Sequence, residues 1–339
     1  MAGAPTPAID DVNNLPSIEV DDSQSDDEVY QENLSAYTAS LTSSVLDYRF
    51  ENNRRYHGFR DGKYLGPNDD KEADRLDTIH ELMLETFNRK LFFAPIGTSP
   101  QQVLDIGTGT GIWAVDFAEK FPDAEVTGND LSPIQPTFVP SNVKFVVEDF
   151  EDDWIEESKY DFIHGRYLAG SVQDFPRLLK QAFNATKPGG WIEMQDWDVY
   201  GYSEDGSAKG TTIERYFKVL GDAFGKAGRV FSPGPLLENW LVEAGFVDVK
   251  VTKFKIPMGA WPKDKYFKTL GVWNMLQAQT GFEASALAVL TRYENWSTAE
   301  IKTLVDQALK DVKNPKIHFL FDLYVQAHQF AHHNVKSVN

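Results

Sequence analysis

A short apolar run, Val103 to Ile106, leads directly into Gly107-Thr108-Gly109-Thr110-Gly111 and then into the helical pattern of Ile112 to Phe117. Strand, glycine-rich turn and helix in that order form a nucleotide-binding βα unit. The glycines let the backbone approach a ligand closely, and the helix start offers unpaired N–H groups. The βα pattern continues on both sides. Gln102–Ile106, Glu125–Asn129, Val143–Val147, Tyr160–His164 and Trp191–Trp197 read as strands, and Ile112–Glu119 and Phe175–Ala185 as helices. Such alternation predicts an α/β fold, a parallel sheet covered by helices on both faces.

The spacing says which ligand the turn holds. Gly107, Gly109 and Gly111 do not fit G-x-G-x-x-G, and no G-x-x-x-x-G-K-[ST] loop follows. Asp105 stands at the mouth of the first strand, where a carboxylate would repel a pyrophosphate. It suits a ligand with an ammonium and a sulfonium, which points to S-adenosyl-L-methionine. Asp130 closes the second strand, where it can accept both ribose hydroxyls. Asp149 and Phe150 close the third, where an acid can take the adenine amino group and a ring can pack on the base.

Outside this core, residues 1–35 are rich in Pro, Ser, Asp and Asn and read as a disordered acidic tail. Glu32–Leu46 can form a helix. Residues 36–98 form an N-terminal lid and helix: the aromatic and basic segment Tyr48–Pro67, then Asp69–Leu91 with Leu76, Ile79, Met83 and Phe87 on one face. Residues 99–257 form the cofactor-binding core. Its later part holds a loop, Gly201–Gly210, helices over Thr212–Lys226 and Pro235–Ala244, and the strand Val247–Ile256. Residues 258–330 form a helical insertion, Asp264–Asp311 with a capping box at Ser297 and Glu300, and a last strand, Ile317–Val325. Residues 331–339 are a tail.

The net charge of −18 is unevenly spread: ten acids and no Lys or Arg precede Arg49. Such a surface repels phosphate backbones, so nucleic acid is not an expected partner. The tail is either a solvating segment or a docking segment for a protein partner. With no cysteine, disulfides, thiolate metal sites and a cysteine nucleophile are excluded. No apolar run approaches the roughly 20 residues that span a bilayer. The N-terminus carries no signal-peptide pattern. A cytoplasmic location is expected, with the nucleus for a regulatory role.

The chain resembles class I S-adenosylmethionine-dependent methyltransferases, and among them the fungal LaeA-like subfamily. The matching segments are YRFENNRRYHGF, NDDKEADRLDTIHELM, VLDIGTGTGIWAVDFAEKFPDAEVTGNDLSPIQP, YDFIHGRYLAGSV and KPGGWIEMQD. The resemblance spans about Tyr48 to Glu300. It implies a Rossmann-like sheet with an N-terminal lid and a C-terminal helical insertion. It implies that Asp105, Gly107 and Gly109, with Thr108 and Gly111 in the same loop, run along the methionine part of the cofactor. Asp130 and Leu131 would hold the ribose, Asp149 and Phe150 the adenine, and His164 to Arg166 the sulfonium end. The subfamily includes regulators of secondary metabolism and tailoring enzymes.

Methyl transfer needs orientation above all, since the cofactor carries the activation. His57, in YHGF, is the first candidate base, against a purely structural role. Arg166 and Tyr167 follow the fourth strand, where the acceptor would meet the methyl group. Arg49 and Arg55 can bind the cofactor carboxylate or pair with acids. Tyr48, Tyr56 and Tyr64 can stack on a ligand or pack in the core. His80 reads as structural, and Asp196 as a substrate contact or a loop cap. His328, His332 and His333 lack a nearby carboxylate, so no metal is expected. Trp261, Trp273, Met275, Phe282 and Trp296 either roof the substrate or form the insertion's own core. Three readings compete: an enzyme acting on a small aromatic or apolar metabolite, a regulator acting through protein partners, and a cofactor-binding protein without transfer.

Overall fold

The computed structural model describes residues 48–330. The acidic tail, the helix expected over Glu32–Leu46, and His332 and His333 lie outside them. β1 (Arg49–Glu51) and β2 (Arg54–Tyr56) form a hairpin. Its turn, Asn52-Asn53, has positive φ at both residues, as a tight hairpin of this hand requires. α1 (Asp70–Thr86) starts where Asp69 caps the backbone N–H of Glu72. It ends short of the expected Leu91, because Asn88 and Arg89 take positive φ and turn the chain.

The main sheet contains β3 (Gln102–Ile106), β4 (Glu125–Asp130), β5 (Val143–Val147), β6 (Tyr160–Arg166), β7 (Thr186–Tyr202), β8 (Val247–Pro257) and β9 (Leu320–Gln329). Their spatial order is β5-β4-β3-β6-β7-β9-β8. The pairs from β5 through β7 are parallel, and β9 runs antiparallel to both neighbours. The order reverses between β3 and β6, and ligands of open α/β sheets bind at the carboxyl ends of strands flanking such a point.

β7 and β9 depart most from the expected bounds, and where they meet they do so for one reason. β7 and β9 pair along most of their length, as far as Tyr202 opposite Leu320. This draws Gly201 and Tyr202 from the expected loop into β7. It also shifts β9 toward the C-terminus, because cross-strand bonds outweigh local turn preference.

Side chains alternate across the sheet. Val103, Phe162 and Trp191 pack with Trp113 and Phe117 of α2 (Ile112–Lys120). Leu104, Ile106, Ile163 and Ile192 face α3 (Phe175–Ala185) and α5 (Leu237–Ala244). A third apolar core joins α1, α4 (Thr212–Lys226), α6 (Lys265–Tyr293) and α7 (Thr298–Val312) to the ends of β7 to β9. The helices of the insertion therefore share their core with α1 and α4. Among the described residues no helix is long and apolar enough to cross a membrane.

Candidate functional site

Register positions the first acid. Asp105 of β3 lies opposite His164 of β6. The His164 Nδ1–H donates to Asp105 at 2.7 Å, and the Thr108 hydroxyl donates to the other carboxylate oxygen at 2.6 Å. The His164 ring stacks on Trp113 with centroids 3.7 Å apart and is fully buried. Burial pushes its pKa below the usual imidazole value, so the neutral form is favoured. His164 is thus not the cofactor contact that the resemblance implied. It lies beneath the cleft and fixes the carboxylate that lines it.

That cleft opens at the switch point and measures about 1070 Å³ out to its mouth. Asp105, Gly107, Thr108, Gly109, Asp130, Leu131, Asp149, Phe150, Arg166 and Tyr167 all line it. Gly107 has φ 63°, and a Cβ there would come within 2.8 Å of Leu168. Gly111 does not line the cleft. It caps α2 with φ 79°, and a Cβ there would collide with the Phe145 ring. Gly111 is therefore a packing and turn requirement rather than a ligand contact.

Asp130 accepts from the Gly109 N–H at 2.9 Å and from the Ser132 N–H at 2.9 Å. Each oxygen keeps a lone pair for a ribose hydroxyl. Burial raises its pKa to about 6, against the pull of these two N–H donors. The carboxylate form, the one able to accept a ribose diol, is therefore lost as pH falls through that value. S-adenosylhomocysteine affinity is expected to fall about tenfold between pH 7 and pH 5, as calorimetric titration at the two pH values would show. A flat profile would remove Asp130 from the ribose.

Sequence reasoning missed what ties the N-terminal segment over this cleft. Arg60 pairs with Asp149 at 2.9 Å and Lys63 lies 3.5 Å from the same carboxylate. Against the cost of burial, the Glu151 N–H and these cations hold Asp149 below the usual carboxylate range. Asn68 Nδ2 donates to the Ser132 hydroxyl at 3.1 Å. Asn129 Oδ1 accepts from the Gly107 N–H at 3.2 Å, and Gln135 Nε2 donates to the Gly109 carbonyl at 2.6 Å. These are long-range contacts without a periodic signature in the sequence.

His57 is a correction. It is 1% exposed and does not line the cleft. Its Nδ1 faces the Phe59 carbonyl at 2.7 Å and its Nε2 accepts from the Tyr64 N–H at 3.0 Å. With both nitrogens engaged it pins a turn and cannot take a proton from an acceptor. Arg49 pairs with Asp61, and Arg55 bonds Asn68, so neither reaches the cleft. Tyr64 lines the cleft, while Tyr56 is core and Tyr48 lies under Arg55. Asp196 is buried and accepts from the Leu168 N–H at 2.8 Å. It thereby holds the turn after β6 rather than lining the cleft. His328 is buried on β9, and burial lowers its pKa to about 4.

Beside the cleft lies a second chamber, about 730 Å³ counting the space open to solvent at its mouth, which shares Ile79 and Tyr167 with it. Its walls are Leu82, Trp197, Tyr216, Phe217, Leu220, Phe224, Phe231, Met258, Phe282 and Phe321, with Asn274, Gln277 and Ser285 as polar points. No Asp, Glu, Lys, Arg or His is among the described residues lining it. Of the insertion's candidates only Phe282 reaches this chamber; Trp273, Met275 and Trp296 pack against the core and Trp261 against His318. Tyr167 stands between the cavities with φ 56°, a strained conformation for a bulky residue. Its hydroxyl accepts from Arg75 Nη1 at 3.3 Å, and Arg75 is held by buried Glu72 at 2.9 and 2.5 Å.

A family described as a methyltransferase domain matches residues 50–251. Methyltransferase pytC of Aspergillus terreus is 43% identical over 288 residues, 84% of this chain and 89% of its own length. The secondary metabolism regulator LAE1 of Cochliobolus heterostrophus is 36% identical, covering 81% of this chain and 92% of its own. The protein-methionine methyltransferase laeA of Emericella nidulans is 34% identical, covering 82% and 75%.

Proposed function

The chain belongs to the methyltransferase domain family and is an S-adenosylmethionine-dependent methyltransferase; on that premise we propose that its acceptor is a small, neutral, aromatic or apolar molecule bound in the chamber behind Tyr167. One observation carries the reading: an aromatic-walled cavity adjoins the cofactor cleft and meets it at Tyr167. The cofactor, when bound, supplies a methyl group activated on a sulfonium. The protein's residues orient. Asp105 receives the ammonium, Asp130 the ribose, and Phe150 packs at the adenine end beside Asp149. The chamber offers no carboxylate or imidazole among its described lining residues, so no strong base faces the acceptor. That favours an acceptor whose nucleophilic atom has a free lone pair and needs no proton removed before attack, such as an uncharged amine or ring nitrogen on an aromatic body.

The test is transfer of labelled methyl from the cofactor to a fungal metabolite extract, compared with transfer to candidate partner proteins. Label in small molecules supports the proposal. Ser285→Phe, which fills the chamber, is expected to lower that transfer by at least about tenfold while S-adenosylhomocysteine still binds, since overpacking acts locally. Unchanged transfer would place the acceptor elsewhere.

The names of the LAE1 and laeA relatives favour a second reading, a regulator that acts through protein partners. Label in protein would support it, and the acidic segment before Arg49 is the docking region it would use. The first reading goes with a cytoplasmic location and the second with a nuclear one, which imaging of a fluorescent fusion would separate. A thermal shift with cofactor and no label in any fraction would favour binding without transfer.

A further inference from the structure

Most of the arginines near the cleft are held by an acid. Arg54 pairs with Asp69, Arg60 with Asp149 and Arg75 with Glu72. Arg166 lines the cleft, yet it forms no ion pair within 4 Å among the described residues. Its one hydrogen bond there runs from Nη2 to His80 Nδ1 at 2.8 Å. A guanidinium carries five donors and no acceptor, so most of its donors stay available toward the cleft. Leaving a partly buried cation without an anion is costly. An anionic ligand group arriving there would remove that cost.

Asp105 lines the same cleft. Its carboxylate is already oriented by Thr108 and His164, which explains why it does not close on Arg166. Beyond β3 and β6 the cleft thus presents one fixed anion and one unpaired cation. This is the complement of a zwitterionic amino acid.

We propose that Arg166 receives the carboxylate of the cofactor's amino-acid end, and that His80, anchored by Asp116, is the positioning residue that aims it. The tautomer follows from the donors. Arginine can only donate, so His80 Nδ1 is the acceptor and its proton sits on Nε2. That N–H donates to Asp116 Oδ2 at 3.0 Å. His80 comes from α1 and Asp116 from α2, so two helices clamp one imidazole against the end of β6. The ring is 1% exposed. Burial, with Arg166 nearby, lowers its pKa, in keeping with the neutral acceptor form. His80, buried on the core-facing side of a helix, does more than pack: it sets the direction of a cation.

The inference rests on the cofactor assignment, and two ligands separate the two. S-adenosylhomocysteine has the amino-acid end; 5′-methylthioadenosine keeps the adenosine and sulfur but lacks it. Both are titrated calorimetrically into the full-length protein. Arg166→Gln is expected to weaken S-adenosylhomocysteine by about 30-fold, the loss of a charge-assisted pair, and to change 5′-methylthioadenosine by less than about twofold. His80→Phe should weaken only the first ligand, by about five- to tenfold. His80→Asn, whose amide oxygen can stand in for Nδ1, should recover most of that loss. Asp116→Ala, a change at a partly exposed site, gives the same selectivity at about threefold if His80→Phe does not fold. Equal weakening of both ligands, or no weakening of S-adenosylhomocysteine by Arg166→Gln, would overturn the proposal. Failure of the wild-type protein to bind either ligand would instead overturn the cofactor assignment.

Discussion

Asp130→Ala is expected to weaken S-adenosylhomocysteine binding by about ten- to a hundredfold, the value of roughly 1.5–3 kcal/mol for hydrogen bonds to a charged acceptor. Two effects add. The diol loses its acceptor, and the Gly109 and Ser132 N–H groups lose the carboxylate that holds the glycine loop against β4. Asp130→Asn separates them. An amide keeps one acceptor oxygen but turns an NH₂ toward one of those N–H donors. It also cannot titrate, so the pH dependence described for Asp130 should vanish in that variant even where some affinity remains. Wild-type affinity in the alanine variant would mean that the ribose lies elsewhere.

The largest effect on stability is expected at the Glu72–Arg75 pair. Both side chains are buried, with Glu72 2% and Arg75 4% exposed. Arg75→Met leaves the Glu72 carboxylate buried without a cation, which costs about 3–5 kcal/mol. For a domain of this size that lowers the melting temperature by about 10 °C. The double variant Glu72→Met with Arg75→Met should recover most of this, because removing both charges removes the unpaired one. Methyl transfer should not recover with it, since the Tyr167 hydroxyl and Gln277 Oε1 have then lost the Nη1 donor that fixes them at the chamber's mouth. Recovery of stability and transfer together would show the pair to be structural only. A single variant as stable as the parent would contradict the burial argument itself.

The parallel sheet and its loop were legible because their signals are local. Strand length, alternation and the glycine spacing lie within a few residues of one another, and Asp105, Asp130 and Asp149 could each be placed at a strand end from pattern alone. Roles that depend on distant partners were not legible. His164 and Arg166 are two residues apart in one strand, so their side chains share a face of the sheet and no local rule separates them. Their partners do: Trp113 and Asp105 enclose the first, while among the described residues only His80 holds the side chain of the second. The aromatic density around His57 suggested a base in a lid. The backbone atoms of Phe59 and Tyr64 had already taken both of its nitrogens.

The acceptor side shows the same division more sharply. Phe282 and Trp197 are more than eighty residues apart, and Arg75 reaches Gln277 across 202 positions. Their meeting depends on how α1, α4 and α6 pack over the ends of β7 and β9, and the sequence alone carries no register for that. By itself the sequence determined the α/β class, the methyl donor and the acids that stand at the strand ends around the glycine loop, since each follows from short-range spacing and charge. Only the tertiary structure decided which residues face the cleft, which stand behind it and where an acceptor fits. Those are properties of side-chain packing between elements far apart in the chain.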